Sequence, residues 1–188
     1  MPDDGALHPP VRSGMVNLPN IITFARLCAV PLAVWLVLHH QMLPAFWLFA
    51  AAGASDAIDG WLARRQGTTA LGAMMDPLAD KALLVSMYLT LANIHALPDW
   101  LAILVVFRDL VIVGGVLLLL ATGHPVAIRP LFVSKLNTAL QIVLVGATLL
   151  LTGLALAWDT LLGVLVAAVA VSTFSSGAAY VWNVVRTR

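Results

Sequence analysis

Ser55-Asp56-Ala57-Ile58-Asp59-Gly60-Trp61-Leu62-Ala63-Arg64-Arg65-Gln66-Gly67-Thr68-Thr69-Ala70-Leu71-Gly72-Ala73-Met74-Met75-Asp76-Pro77-Leu78-Ala79-Asp80 holds four of the nine acidic residues of the chain, all of them aspartates. Apolar runs flank it on both sides, each long enough for a helix. Asp56 and Asp59 are three apart and share a helix face, as do Asp76 and Asp80, four apart. Two antiparallel helices joined around Gly67 aim both pairs toward one point.

The rest of the chain determines the solvent. Of 188 residues, 61% are hydrophobic and 10% charged, with mean hydropathy +0.97. Ordinary soluble domains carry about 25% charged residues, so too few charges remain here to cover a water-facing surface. About 20 apolar residues span a bilayer as a helix. Runs of that kind recur at about 20–38, 44–64, 70–93, 100–121, 135–153 and 159–183. The expectation is an all-α integral membrane protein with six transmembrane helices. Residues 1–16 form a polar N-terminal segment, and 17–188 form a single six-helix domain with no internal repeat. No small-residue cleavage site follows the first run, only His39-His40-Gln41-Met42, which reads as an uncleaved span. The single cysteine, Cys28, excludes an internal disulfide and reads as a small buried hydrophobe. A net charge of +1 gives no reason to expect nucleic acid.

Basic residues set the orientation. With the N-terminus cytoplasmic, Arg12, Arg64, Arg65, Lys81, Arg129, Lys135, Arg186 and Arg188 fall on or near that side, and Arg26 in the cytoplasmic half of the first span. The three opposite connections contain neither Lys nor Arg, which is the positive-inside pattern. Both termini are expected to be cytoplasmic, and the four aspartates sit at that membrane edge.

Four carboxylates at one point repel strongly in a low dielectric unless cations neutralise them. Two divalent ions cancel the formal charge. All-oxygen ligands suit Mg²⁺ or Mn²⁺ rather than zinc, and two metals clamp the oxygens of a phosphoryl group in in-line displacement. Gly60, Ala63 and Gly72 leave room for close approach to the backbone, and Arg64 offers a planar donor fork to a phosphate. A plainer reading pairs the aspartates with nearby Arg and Lys at helix ends.

The pattern Asp56-x2-Asp59-Gly60-x2-Ala63-Arg64, seven residues, Gly72-x3-Asp76-x3-Asp80 resembles the signature of the CDP-alcohol phosphatidyltransferases. The usual interval between its arginine and second glycine is eight or close to it. The opening Leu18-Pro19-Asn20-Ile21-Ile22-Thr23-x2-Arg26 and Asp76-Pro77-x2-Asp80-Lys81 look like the glycerophospholipid branch. The resemblance implies a six-span homodimer of the cell (inner) membrane, with its active site open to the cytoplasm. It implies that Asp56, Asp59 and Asp76 bind one metal, that Asp56, Asp76 and Asp80 bind the second, and that Asp80 is the general base. It also implies that Asp56, Gly60, Ala63, Arg64 and Gly72 hold the CDP moiety of CDP-diacylglycerol.

The acceptor is less determined. Arg108, Arg129, Lys135 and Asn137 are the acceptor candidates. Against this, Arg108 and Asp109 suit an ion pair, and Arg129 and Lys135 suit simple interfacial anchors. Two acceptors compete: phosphatidylglycerol, giving cardiolipin and CMP, and glycerol 3-phosphate, giving phosphatidylglycerophosphate. Synthases of the latter usually carry a second arginine two turns after the span-four arginine, and here that stretch is apolar, through Gly114-Gly115-Val116-Leu117. Phe132-Val133-Ser134-Lys135-Leu136-Asn137-Thr138-Ala139 looks more like the CMP-forming cardiolipin synthases, so phosphatidylglycerol is favoured. Gly114 and Gly115 suit either a lipid approaching between helices or close packing. His39, His40, His95 and His124 read as interfacial bystanders. A transporter would show repeats and interrupted helices near the midplane, and a non-catalytic scaffold would be free to lose aspartates that here remain.

Overall fold

Six α-helices follow one another with short connections: α1 (Leu18–Leu38), α2 (Met42–Gln66), α3 (Ala70–Asn93), α4 (Asp99–Ala121), α5 (Phe132–Gly153) and α6 (Asp159–Arg186). The computed structural model describes the backbone of residues 18–66, 70–121, 132–157 and 159–186, and the side chains of 23–55, 79–115, 133–157 and 159–180. No strand occurs among the described residues. Every helix coincides with an apolar run of the sequence to within three residues at each end. The expected all-α architecture is present.

Packing closes the helices into a ring: α1 against α2, α2 against α5, α5 against α6, α6 against α4, α4 against α3, and α3 back against α1. α3 also touches α5 across the ring, so it packs against three other helices. Its residues show this, with Leu83, Leu84, Met87, Tyr88 and Leu91 all buried. Val37, Ala45, Leu101, Val105, Leu144, Leu149 and Val169 complete the same core from the other helices.

The distribution of polarity is inverted relative to a water-soluble bundle. Thr23, Arg26, Thr90, Arg108, Asp109, Asn137, Gln141, Thr148, Thr173 and Ser176 are buried. The outward faces carry Trp35, Trp47, Leu89, Ile103, Phe107, Val143, Val164 and Phe174, the last 71% exposed. An apolar exterior over a partly polar interior is what hydrocarbon favours, since lipid gives no reason to hide leucine and every reason to hide charge. Among the described residues, Val133–Gly153 and Asp159–Tyr180 are long and apolar enough to cross a membrane. Cys28, expected inside, is exposed on α1. Arg26 and Ala33 occupy the buried face of that helix instead, and an apolar thiol costs nothing against an apolar surrounding.

One end of the bundle is built from three copies of the same turn. His40, His95 and Ala155 follow α1, α3 and α5 and have φ of 57°, 59° and 53°. In each case the amide of that residue donates to a carbonyl three back, and the next amide donates to a carbonyl five back. The pairs are His40 to Val37 at 3.0 Å and Gln41 to Leu36 at 2.8 Å; His95 to Ala92 at 2.8 Å and Ala96 to Leu91 at 2.9 Å; Ala155 to Thr152 at 3.1 Å and Leu156 to Leu151 at 3.0 Å. This is the Schellman arrangement, which satisfies the last helical carbonyls at the point where the chain reverses. His40 and His95 are therefore helix caps rather than bystanders. At the same end, a Cβ on Gly153 would lie 2.9 Å from the backbone nitrogen of Leu43, so glycine lets α5 close onto the start of α2.

Ala155 sits in the left-handed region without glycine's freedom and is exposed. The left-handed penalty is about 1–2 kcal/mol, and glycine's added unfolded-state entropy returns part of it. Ala155→Gly is expected to stabilise the protein by about 0.5–1 kcal/mol, seen as a higher unfolding midpoint in detergent. A lower midpoint would contradict the cap.

Candidate active site

The described buried charges lie well inside their helices, Arg26 in the first half of α1 and Arg108 and Asp109 near the midpoint of α4. Arg26 stands three turns below the apolar end of α1, with no acid among its neighbours on that helix. A buried guanidinium is costly unless paired, and the partner comes from α3. Arg26 Nη1 donates to Asp80 Oδ1 at 2.7 Å. The side chain of Arg26 is 1% exposed and that of Asp80 42%, so the arginine holds from inside a carboxylate that opens outward.

The next residue on α3 begins a second network. Lys81 Nζ donates to Asp109 Oδ2, and Arg108 Nη1 donates to Asp109 Oδ1 at 2.8 Å. Arg108 Nη2 donates to Ser134 Oγ at 2.7 Å and to Ser176 Oγ. One arginine thus joins α4, α5 and α6, and its carboxylate partner joins α3. Gly177 admits the Arg108 stem, whose Cγ lies 3.7 Å from where a Cβ would stand. A third, uncharged cluster joins α5 to α6: Asn137 Oδ1 accepts from Ser172 Oγ and Thr173 Oγ1, both at 2.8 Å.

A cavity of about 570 Å³ opens beside the charges, lined by Arg26, Asp80 and Lys81 at its polar part and by Phe49, Ala52, Gly53, Leu83, Leu84, Thr138 and Ile142 elsewhere. Charge and apolar wall in one cleft suit an amphipathic ligand. A second cleft, about 370 Å³, lies among the capped turns and is lined by His40–Pro44, Thr152 and Gly153, without a carboxylate or a Lys or Arg.

The four aspartates are divided by what the structure describes. Asp80 is placed in full. Asp56 and Asp59 lie on α2 and Asp76 on α3, together with Gly60, Ala63, Arg64 and Gly72, but their side chains lie outside the described ones. Arg129 lies outside the described residues altogether. Among the described residues no group of three or more metal-ligating side chains is assembled. The donor chemistry nonetheless fits a hard cation, since Asp80 presents a partly exposed carboxylate to the cavity, and the other three acids lie on the same two helices.

Of the acceptor candidates, Arg108 and Asn137 are buried within their own networks, and Lys135 is exposed. None of the three lines the cavity. Gly115 packs against Tyr180, whose Cε1 lies 2.8 Å from the position of a Cβ, whereas Gly114 faces open space. The sequence reading assigned no role to Arg26 or Lys81 beyond their place in motifs and topology. One signal was available: an arginine alone in an apolar helix must take its partner from another helix.

The profile of the CDP-alcohol phosphatidyltransferases matches residues 16–181. The chain belongs to the CDP-alcohol phosphatidyltransferase family. It is 36% identical over 157 residues to the chloroplastic CDP-diacylglycerol–glycerol-3-phosphate 3-phosphatidyltransferase 1 of Oryza sativa, covering 74% of this chain and 48% of that protein. It is 32% identical over 150 residues to the CMP-forming cardiolipin synthase of Rattus norvegicus, covering 71% and 50%. With the CDP-diacylglycerol–glycerol-3-phosphate 3-phosphatidyltransferase of Bacillus subtilis it shares 33% identity over 152 residues, covering 72% and 78%. The chain spans half or less of the length of the first two of these relatives. Both product classes thus occur among family members of similar identity.

Arg108 holds three helices through a fork that lysine cannot reproduce. Arg108→Met leaves Asp109 buried with Lys81 as its remaining cation and strands Ser134 and Ser176. A loss of about 3–5 kcal/mol is expected from breaking such a pair, measured by chemical unfolding in detergent. Stability within about 1 kcal/mol of the parent would show that the network is not needed for assembly.

Proposed function

We propose that this protein transfers a phosphatidyl group from CDP-diacylglycerol to the hydroxyl of a glycerol-type acceptor and releases CMP, with phosphatidylglycerol as the acceptor and cardiolipin as the product. The observation that carries the transferase reading is Asp80. It closes the four-aspartate pattern of the family and opens into a cleft that is charged at one part and apolar at the rest.

Asp56, Asp59, Asp76 and Asp80 would hold two divalent ions, Mg²⁺ or Mn²⁺, whose chemistry is to neutralise the diphosphate and stabilise the departing CMP. Gly60, Ala63, Arg64 and Gly72, with Asp56, hold the CDP moiety. The carboxylate of Asp80 takes the proton of the acceptor hydroxyl as its oxygen attacks phosphorus, and the bond from that phosphorus to the CMP oxygen breaks. Arg26 orients the carboxylate through its bond to Oδ1.

Phosphatidylglycerol is favoured because the wall beside Asp80 is apolar, through Phe49, Leu83, Leu84 and Ile142. A glycerol 3-phosphate dianion would call for several convergent cations. Glycerol 3-phosphate remains the second reading, because relatives named for that acceptor match at 36% and 33% identity. By family likeness the enzyme is a homodimer of the cell (inner) membrane. Its six helices span the bilayer with both termini and the aspartates on the cytoplasmic side.

The test of chemistry supplies purified protein with CDP-diacylglycerol and Mg²⁺ or Mn²⁺, offers each acceptor separately, and follows CMP and lipid products. Cardiolipin formation abolished by chelator is expected, and Asp80→Asn should lower turnover about 10²–10⁴-fold. Phosphatidylglycerophosphate without cardiolipin would replace the acceptor and keep the family chemistry. Full activity of Asp80→Asn at saturating substrate would remove Asp80 as the base.

Topology has its own test. In a Cys28→Ala background, single cysteines at Gln66 and Thr187 should react with an impermeant thiol reagent only from the cytoplasmic side. Those at Gln41, Ala96 and Ala157 should react only from the other. Mixed labelling within either group would overturn the six-span arrangement.

A further inference from the structure

Lys81 is the cation that adjoins Asp80 in sequence and also lines the cavity. Its side chain is 38% exposed, whereas the side chains of its partner Asp109 and of Arg108 are 10% and 5% exposed. An ammonium has three donors. Asp109 takes one, and the described residues supply no other hydrogen-bond partner. Arg108 is differently placed. Its two terminal nitrogens are engaged by Asp109, Ser134 and Ser176, and it does not reach the cavity. It has no fork to offer a ligand there.

We propose that Lys81 binds the phosphate of the acceptor, and that Asp109 is a positioning residue that holds Lys81 at the cavity while Arg108 holds Asp109. Among the described residues, the two cations of this unit share one carboxylate, and the surplus of one positive charge favours an anion at Lys81. The phosphate could come from a lipid acceptor or from a soluble glycerol phosphate, and both present the same oxygens to the ammonium. The competing account makes Lys81–Asp109 only a clamp between α3 and α4. A clamp has no means of distinguishing acceptor from donor, whereas a phosphate site beside Asp80 does.

The inference rests on the transferase reading, and its test separates the two. Steady-state CMP release is measured with CDP-diacylglycerol and either phosphatidylglycerol in mixed micelles or glycerol 3-phosphate in solution. Lys81→Gln removes a half-exposed group and should raise the apparent KM of the working acceptor about tenfold or more, the loss expected for one charge-assisted hydrogen bond. It should lower kcat much less and leave the KM of CDP-diacylglycerol unchanged. Lys81→Arg should restore most of the acceptor affinity. Asp109→Asn should reproduce the acceptor shift, Asp109→Glu should recover much of it, and the double variant should be no worse than Lys81→Gln alone, because both act through one contact. The acceptor arm in which the shift occurs identifies the source of the phosphate. If Asp109→Asn fails to fold, Lys81→Gln decides by itself. An unchanged acceptor KM in an active Lys81→Gln enzyme, or equal rises for donor and acceptor, overturns the proposal. Absence of CMP release by the parent protein with either acceptor overturns the transferase reading, and the proposal falls with it.

Discussion

Asp109 accepts from Lys81 and from Arg108 at once, and much of the bundle hangs on that carboxylate. An ion placed in a low-dielectric interior loses several kcal/mol of hydration, which only close partners offset. The network draws in four helices: Asp109 and Arg108 from α4, Lys81 from α3, and the two serines that complete Arg108 from α5 and α6. The requirement that no charge be left alone therefore becomes a rule about which helices lie side by side. Arg26 and Asp80 apply the same rule to α1 and α3. Helices in lipid gain little from hiding leucine, so packing alone specifies such contacts weakly. Directional bonds to charged groups select among otherwise similar arrangements.

The bundle is consequently not uniform along its length. One end carries three Schellman turns in which the backbone satisfies itself within the chain, with Gly153 permitting α5 to close against Leu43. The ion pairs and the cavity lie away from those turns, nearer the middle of the helices. Arg26, Asp80 and Lys81 line one part of the cavity, while Phe49, Leu83, Leu84 and Ile142 offer an apolar wall directly beside them. Asp80 stands where the two surfaces join, anchored from within by a buried arginine and facing outward. That placement suits a group that must exchange protons and ligands while keeping its orientation.

Helix positions were legible in the sequence because each run of about 20 apolar residues is bounded by polar or turn-forming residues. The four aspartates were legible as a candidate site because carboxylates at helical spacing in an apolar chain have few other uses. The caps were not read. His40, His95 and Ala155 replace the glycine that ordinarily marks such a turn, and a left-handed histidine or alanine leaves no trace in composition. Cys28 was placed on the wrong face for a related reason: apolar character reveals which side is buried only when the outside is water. With lipid outside, hydrophobicity no longer distinguishes the two faces of α1.

What the sequence by itself determined is what short-range periodicity and chemistry encode: six helices, their order, and the acids from which a family was identified. Pairing was decided only by the tertiary structure. Nothing in the spacing of Arg26, Lys81, Arg108 and Asp109 says which cation meets which carboxylate, because the partners lie 28 and 54 positions apart as well as adjacent. Arg108 drew attention as an intramembrane charge, yet its donors turn to Asp109, Ser134 and Ser176, and Lys81 reaches the cavity instead. The physical reason is geometric. A helix fixes the angle at which a side chain leaves its axis, but the rotation of that helix against its neighbours is set by the contacts of the whole ring.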